Sequence, residues 1–268
     1  VTFGEYSRQW LEITKVSKEL NTKKMYATTL KYLQFLNTTK LQDLRHSHLQ
    51  LAINQNLEHP KTCKNIYSTY SQIIKCAVRD RLLPRRALDD LLADISLPKH
   101  IKAKKRALSA LEKEAFMNAE LDMNKRAFVN ILYYCGLRRG EALALTKEDI
   151  DLKNKLINVD KIIVFDGSNP LLKMFPKSEH SIRKVPLPYQ AIFNLKSYTA
   201  TLDQGEFLFH TQTGAMMTEI GYRRLWESII NGMNVALGYN PQAKKNKPLE
   251  KPIKGLTAHI FRHNYCSE

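Results

Sequence analysis

One short stretch governs what this chain can become. Residues 98–106, PKHIKAKKR, hold five Lys or Arg and no acid, a run that favours an extended, solvated segment over a packed element. It separates two halves of different pattern. Before it, apolar residues recur at helical spacing and nothing alternates as a strand does; after it, both patterns occur. A chain of 268 residues is long enough for two domains with a core each. The expected partition is a helical domain over 1–97, a basic linker over 98–106 and a mixed domain over 107–268.

In the first half, NTKKMYATTLKYLQFL opens on Asn21, a capping residue type, and repeats Met25, Tyr26, Leu30, Leu33 and Leu36 with the period of one helix. A longer helix is expected from about Lys61 to Leu82, with Ile66, Tyr70, Ile73, Ile74, Ala77 and Val78 on one side and Pro84 as its stop. Segments near 3–14, 46–57 and 86–94 complete a bundle of four or five helices.

In the second half, Ser109 and Glu112 have the spacing of a capping box and start a new helix. NKRAFVNILYYCG reads as an amphipathic helix stopped by Gly136; a short helix follows, and Thr146 with Asp149 repeats the capping-box spacing. Strands are expected at KLINVD, KIIVFD and RKVPLP, with turns at Asn154, at Asp166-Gly167 and over 176–181. Helices return from Pro188 to the end, interrupted over 238–255. The fold class is therefore mainly α with a small antiparallel β-sheet: a helical bundle followed by a mixed α+β domain.

Charge narrows the partner. There are 42 Lys and Arg against 26 Asp and Glu, a formal +16, spread along the whole chain. A membrane-surface protein would more often gather such charge in one helix or tail, so nucleic acid is the expected polyanion. Lys99, Lys102, Lys104, Lys105 and Arg106 of the linker are candidates to lie along phosphates; a merely solvated tether would carry the same composition. Cys63, Cys76, Cys135 and Cys266 form no C-x-x-C pair and are expected to be reduced thiols in a cytoplasmic protein. No apolar run approaches the roughly 20 residues of a membrane span.

Three places can carry chemistry. Arg138, in CGLRRGEALALT, leaves a turn between two helices, and Glu141 three residues on can hold its guanidinium; the same pair could be an ordinary surface contact. Lys177, in FPKSEHSIRKVPLP, is expected at the tip of a hairpin between a strand ending near Phe175 and one starting near Ile182. His259, Arg262 and His263 crowd one turn of helix in HIFRH.

GLRRGE, PKSEHSIRKVPL and HIFRH, in that order after a bundle and a basic linker, resemble the tyrosine recombinases, the phage-type integrases. The resemblance covers essentially all of the chain. FLFHTQTGAMMTEIGYRRLWESI is also similar to integrases of conjugative transposons from Gram-positive bacteria. The resemblance implies a core-binding domain before the linker and a catalytic domain after it. It implies that Arg138 is the first catalytic arginine, Lys177 the hairpin lysine, and His259 with Arg262 the His-x-x-Arg pair; Glu141 and His263, read from their positions beside these residues, are expected to support the site. The implied reaction is transesterification of a DNA phosphodiester through a phosphotyrosine, with no cofactor and no metal. Residue chemistry agrees: two guanidiniums suit the non-bridging oxygens, whose charge grows in the transition state. A flexible ammonium suits protonation of the departing 5′ oxygen. His259 and His263 at i, i+4 could also bind zinc, but Ile260 stands where a protease of that type has its Glu, and Arg262 would repel a cation.

The family's nucleophilic tyrosine lies a few dozen residues beyond the His-x-x-Arg pair, whereas this chain ends six residues after Arg262. Tyr265 sits one turn from the phosphate ligands, at a position expected to be core. The expectation is a piece of a longer protein, opening at Val1 without Met and lacking the attacking group. In the whole protein the partners would be duplex DNA at recombination sites and further copies, as a dimer or tetramer joined through the missing C-terminal segment. It would be a nucleoid-associated protein of the bacterial cytoplasm, with no membrane. Two other readings share the fold: a DNA-binding protein without catalysis, and a type IB topoisomerase.

Overall fold

Helix formation in the first half follows the apolar period. The computed structural model describes residues 1–14, 16, 18–99, 101, 106–174, 182–240 and 250–267, and the chain divides into two compact units, Val1–Ala103 and Lys104–Glu268. The first contains α1 (Phe3–Thr14), α2 (Leu20–Lys31), α3 (His46–Asn54), α4 (Pro60–Arg79) and α5 (Ala87–Leu92). Its centre is α4, which buries Cys63, Ile66, Tyr70, Ile73, Ile74 and Ala77. Phe3 stacks on Tyr70 with ring centroids 5.7 Å apart, and Trp10 meets Tyr26 edge-on at 5.2 Å. Each such side chain removed from water contributes about 1.5–3 kcal/mol.

Two boundaries differ from expectation. Asn21 is not a cap: α2 starts at Leu20, because the Glu19 carbonyl already accepts the N–H groups of Thr22 and Lys23 at 2.9 and 3.0 Å. The helix also stops at Lys31, and a 3₁₀ turn over Gln34–Leu36 brings both Leu33 and Leu36 into the core. Pro84 does not end α4. The helix closes at Arg79 because Arg81 takes a left-handed conformation (φ 60). The N–H of Arg81 then reaches the Val78 carbonyl at 3.1 Å and that of Leu82 the Ala77 carbonyl at 2.9 Å, the paired bonds of a Schellman cap.

The second unit starts as its capping box requires. The Glu112 N–H donates to Ser109 Oγ at 3.2 Å, and the Ser109 N–H donates to Glu112 Oε2 at 2.8 Å. They launch α6 (Ala110–Asn118), followed by α7 (Met123–Tyr134) and the short α8 (Arg139–Ala144). Five strands follow: β1 (Ile150–Asp151), β2 (Leu156–Val159), β3 (Ile162–Asp166), β4 (Asn169–Lys173) and β5 (Arg183–Pro186). Helices α9 (Tyr189–Thr199), α10 (Glu219–Ala236) and α11 (Ala258–Ser267) complete the described elements.

The strands form two small antiparallel sheets rather than one. One has the order β1-β2-β5, and the other is the ribbon β3-β4. The hairpin expected around Lys177 is corrected accordingly: the strands on either side of it belong to different sheets. β5 pairs with β2, Arg183 opposite Val159 and Val185 opposite Ile157, while β4 pairs with β3. Val185 and Ile157 are buried, so β5 keeps its place beside β2 by burying one face. Lys177 itself lies outside the described residues.

Packing at Phe261, Gly140 and Gly136 positions the site. Phe261 of α11 meets Phe116 of α6 and Trp226 of α10 edge-to-face at 5.7 and 5.8 Å. At Gly140 of α8, a Cβ would stand 2.5 Å from the Ile163 carbonyl oxygen, so only glycine lets α8 lie this close to β3. Gly136 ends α7 at φ +62, and a Cβ there would fall 2.2 Å from the Tyr265 ring of α11.

Candidate active site

Glu141 lies in α8 with its side chain 1% exposed, and a carboxylate so enclosed requires cationic partners. It has three. Arg138, at the N-cap of α8, donates its backbone N–H to Glu141 Oε2 at 2.8 Å and its Nη1 to Oε1 at 2.7 Å. Arg183, at the start of β5, donates Nη2 to Oε2 at 2.8 Å and Nη1 to Oε1 at 3.3 Å. Arg262, in α11, holds Nη1 3.9 Å from Oε2 and donates the same nitrogen to the Gly136 carbonyl. Burial pushes the Glu141 carboxyl upward, but the hydrogen bonds from Arg183 and Arg138 outweigh it and hold the group below its ordinary value.

Three guanidiniums around one carboxylate leave a formal surplus of two positive charges. The Arg138 side chain is 53% exposed, against 27% for Arg183 and 23% for Arg262. The cluster can therefore receive an anion at Arg138 without first losing the buried pair. Planar forks at fixed angles suit the non-bridging oxygens of a phosphodiester.

His259 and His263 stand one turn apart on α11, and their rings meet edge-to-face at 4.3 Å. His259 is exposed at the end of the helix that carries Arg262, while His263 is half-buried. Tyr265 is 42% exposed instead of occupying the core, its ring laid on Gly136. Thus Arg138, Glu141 and Arg262 converge as their motifs imply. Lys177 is outside the described residues, as are Lys102, Lys104 and Lys105. Lys99 is exposed. Arg106 is engaged: its guanidinium forks onto the buried Glu112 at 2.6 and 2.8 Å.

Arg183 is the residue that the sequence reading missed. A signal was present. In RKVP, period two puts Arg183 on the face of Val185, and an inward arginine demands a buried carboxylate.

Residues 104–268, more than half of the chain, match the sequence profile of the phage integrase family. The chain belongs to that family. Among relatives of this integrase-family chain, the transposase from transposon Tn916 of Enterococcus faecalis is 22% identical over 279 residues, covering 98% of this chain. The chain spans 65% of the length of that transposase. Tyrosine recombinase XerD of Pseudomonas putida is 25% identical over 238 residues, or 84% of this chain and 67% of its own length. The Tn1549 transposon integrase, solved in complex with circular intermediate DNA, has the same fold at a TM-score of 0.76 and 18% identity. That match covers all of this chain and 86% of the integrase. A lambda integrase tetramer bound to a Holliday junction matches at 0.65 and 15% identity, over 100% of this chain and 72% of its own. The recombinase likeness, including that to conjugative-transposon integrases, thus extends from three short motifs to fold and family.

Proposed function

We propose that this integrase-family chain binds duplex DNA and activates one phosphodiester for transesterification through a phosphotyrosine, in excision and integration of a mobile element. The observation that carries the proposal is the convergence of Arg138, Arg183 and Arg262 on the buried Glu141. Arg138 and Arg262 take the two non-bridging oxygens and stabilise the charge that grows on them. His259 binds the same phosphate or assists proton transfer, with His263 supporting it. Lys177 delivers the proton to the departing 5′ oxygen. Lys99, Lys102, Lys104 and Lys105 run along the backbone of the duplex, and the protein assembles on it as a dimer or tetramer. It acts in the cytoplasm, on DNA of the nucleoid, without a metal or other cofactor.

Tyr265 does not make the attack. Its ring lies over Gly136, on the helix that presents Arg262, and a nucleophile must instead stand in line with the leaving oxygen.

The test uses the natural full-length protein and DNA nicked beside its recombination site, reading the covalent adduct. Arg138→Ala should lower the rate by ~10²–10³-fold. Lys177→Ala should lose cleavage of ordinary DNA and recover it with sulfur at the 5′ bridging position, because a thiolate leaves without a proton. Arg138→Ala should not recover there. Equal behaviour of the two variants would contradict this division of roles.

A further inference from the structure

We propose that Arg183 is a positioning residue for the phosphate-binding arginines and acts through Glu141. The inference rests on the reading of Arg138 and Arg262 as phosphate ligands, and it gives β5 a part in the reaction.

The geometry supports this in two steps. Glu141 has two oxygens to share, and Arg183 occupies both, at 2.8 and 3.3 Å. A carboxylate and a guanidinium left alone prefer that two-pronged arrangement. With Arg183 in place, the side-chain hydrogen bond from Arg138 to Glu141 is a single one from Nη1, and the rest of that half-exposed guanidinium can face a ligand. Remove Arg183, and Arg138 can turn its whole fork onto Glu141, drawing the fork away from the phosphate. The second step concerns Arg262, whose Nη1 is 3.9 Å from the same Oε2 that Arg183 grips at 2.8 Å. Fixing that oxygen therefore fixes the attraction that aligns Arg262. Position on the strand makes Arg183 suited to the task. It is paired with Val159 across a sheet whose next pair on the same face, Val185 and Ile157, is buried. The guanidinium is therefore delivered from a rigid element.

The experiment measures single-turnover cleavage by the natural full-length protein on two nicked substrates. One is an ordinary phosphodiester, and the other carries a methylphosphonate at the scissile position. A methyl in place of one non-bridging oxygen removes the charge, so less cationic neutralisation is needed. On the phosphodiester, Arg183→Gln should lower the rate by ~10–10²-fold, with DNA affinity nearly unchanged. On the methylphosphonate its defect should shrink in parallel with that of Arg138→Ala. Arg138→Ala/Arg183→Gln should be slower than Arg138→Ala alone, but by less than the full Arg183→Gln defect, because only the part exerted through Arg262 remains. Arg183→Lys, which keeps the charge but not the fork, should fall between parent and Arg183→Gln and guards against a variant that merely fails to fold. A defect of Arg183→Gln equal on both substrates, or one relieved instead by 5′ bridging sulfur, overturns the proposal. So does cleavage at the parental rate. Arg138→Ala serves as the control: if it too cleaves at the parental rate, the functional reading itself is wrong.

Discussion

Gly136 carries three constraints at once. Its φ of +62 suits glycine, its carbonyl accepts Arg262, and the space of its absent side chain holds the Tyr265 ring. Gly136→Ala should therefore destabilise the protein by about 2–4 kcal/mol, strain and clash together. In a Tyr265→Ala background the cost should fall toward the 1 kcal/mol or so of backbone strain alone. Urea unfolding of the four proteins of this cycle checks it; an undiminished cost would mean that the ring contact is not the source. Glu141 gives a pH prediction. Its pKa is depressed in the folded state, so its contribution is present above the unfolded value and is lost as pH falls through the folded one. Glu141→Gln should lower stability near pH 7 by about 2–3 kcal/mol, because it removes the counter-charge of partly buried arginines. The variant should then lose less than the parent on acidification below the ordinary value of 4.5. Parallel losses for both proteins would remove Glu141 from the account.

At the scale of elements, adjacent residues part company. Arg138 and Arg139 are indistinguishable as letters, yet Arg139 stacks on Phe165 of β3 at 5.3 Å and Tyr222 of α10 at 4.7 Å, and pairs with Glu219 at 3.5 Å. Arg139→Ala should cost about 1 kcal/mol of stability, seen as a lower urea midpoint, and leave DNA affinity near the parental value. A large loss of affinity with an unchanged midpoint would reverse the two roles. Local signals were legible where they act over three or four residues. Ser109 with Glu112 announced α6, Gly136 announced the end of α7, and the order of the three motifs announced the family. Signals that depend on distant partners were not. β1 is two residues long, and the pairing of β5 with β2 skips the ribbon between them, so KIIVFD and RKVPLP could not reveal that they lie in different sheets. Arg183 was hidden for the same reason. Its partner Glu141 is 42 residues away and became visible only when β5 was seated. The stop of α4 was misplaced because a left-handed Arg81 replaced the glycine that such a cap usually takes.

For the whole molecule, the formal +16 favours the proposed DNA binding, whose salt dependence would count the phosphates neutralised. Affinity should fall steeply with salt as counterions are released. Replacing Lys102, Lys104 and Lys105 by Ala should reduce the slope of log K against log salt by roughly 2–3. Adding Arg106→Ala should leave the slope where it is and lower the melting temperature instead, since Arg106 is held by Glu112. An unchanged slope in the triple variant would mean that the linker does not touch the backbone. The measurement that bears most directly on the central claim incubates the natural protein and its Arg138→Ala and Tyr265→Phe variants with nicked site DNA, and looks for a denaturant-resistant adduct. The account predicts that all three bind, that the parent forms the adduct with or without a chelator, that Arg138→Ala forms it ~10²–10³-fold more slowly, and that Tyr265→Phe forms it at the parental rate. An adduct that disappears with Tyr265→Phe would contradict it.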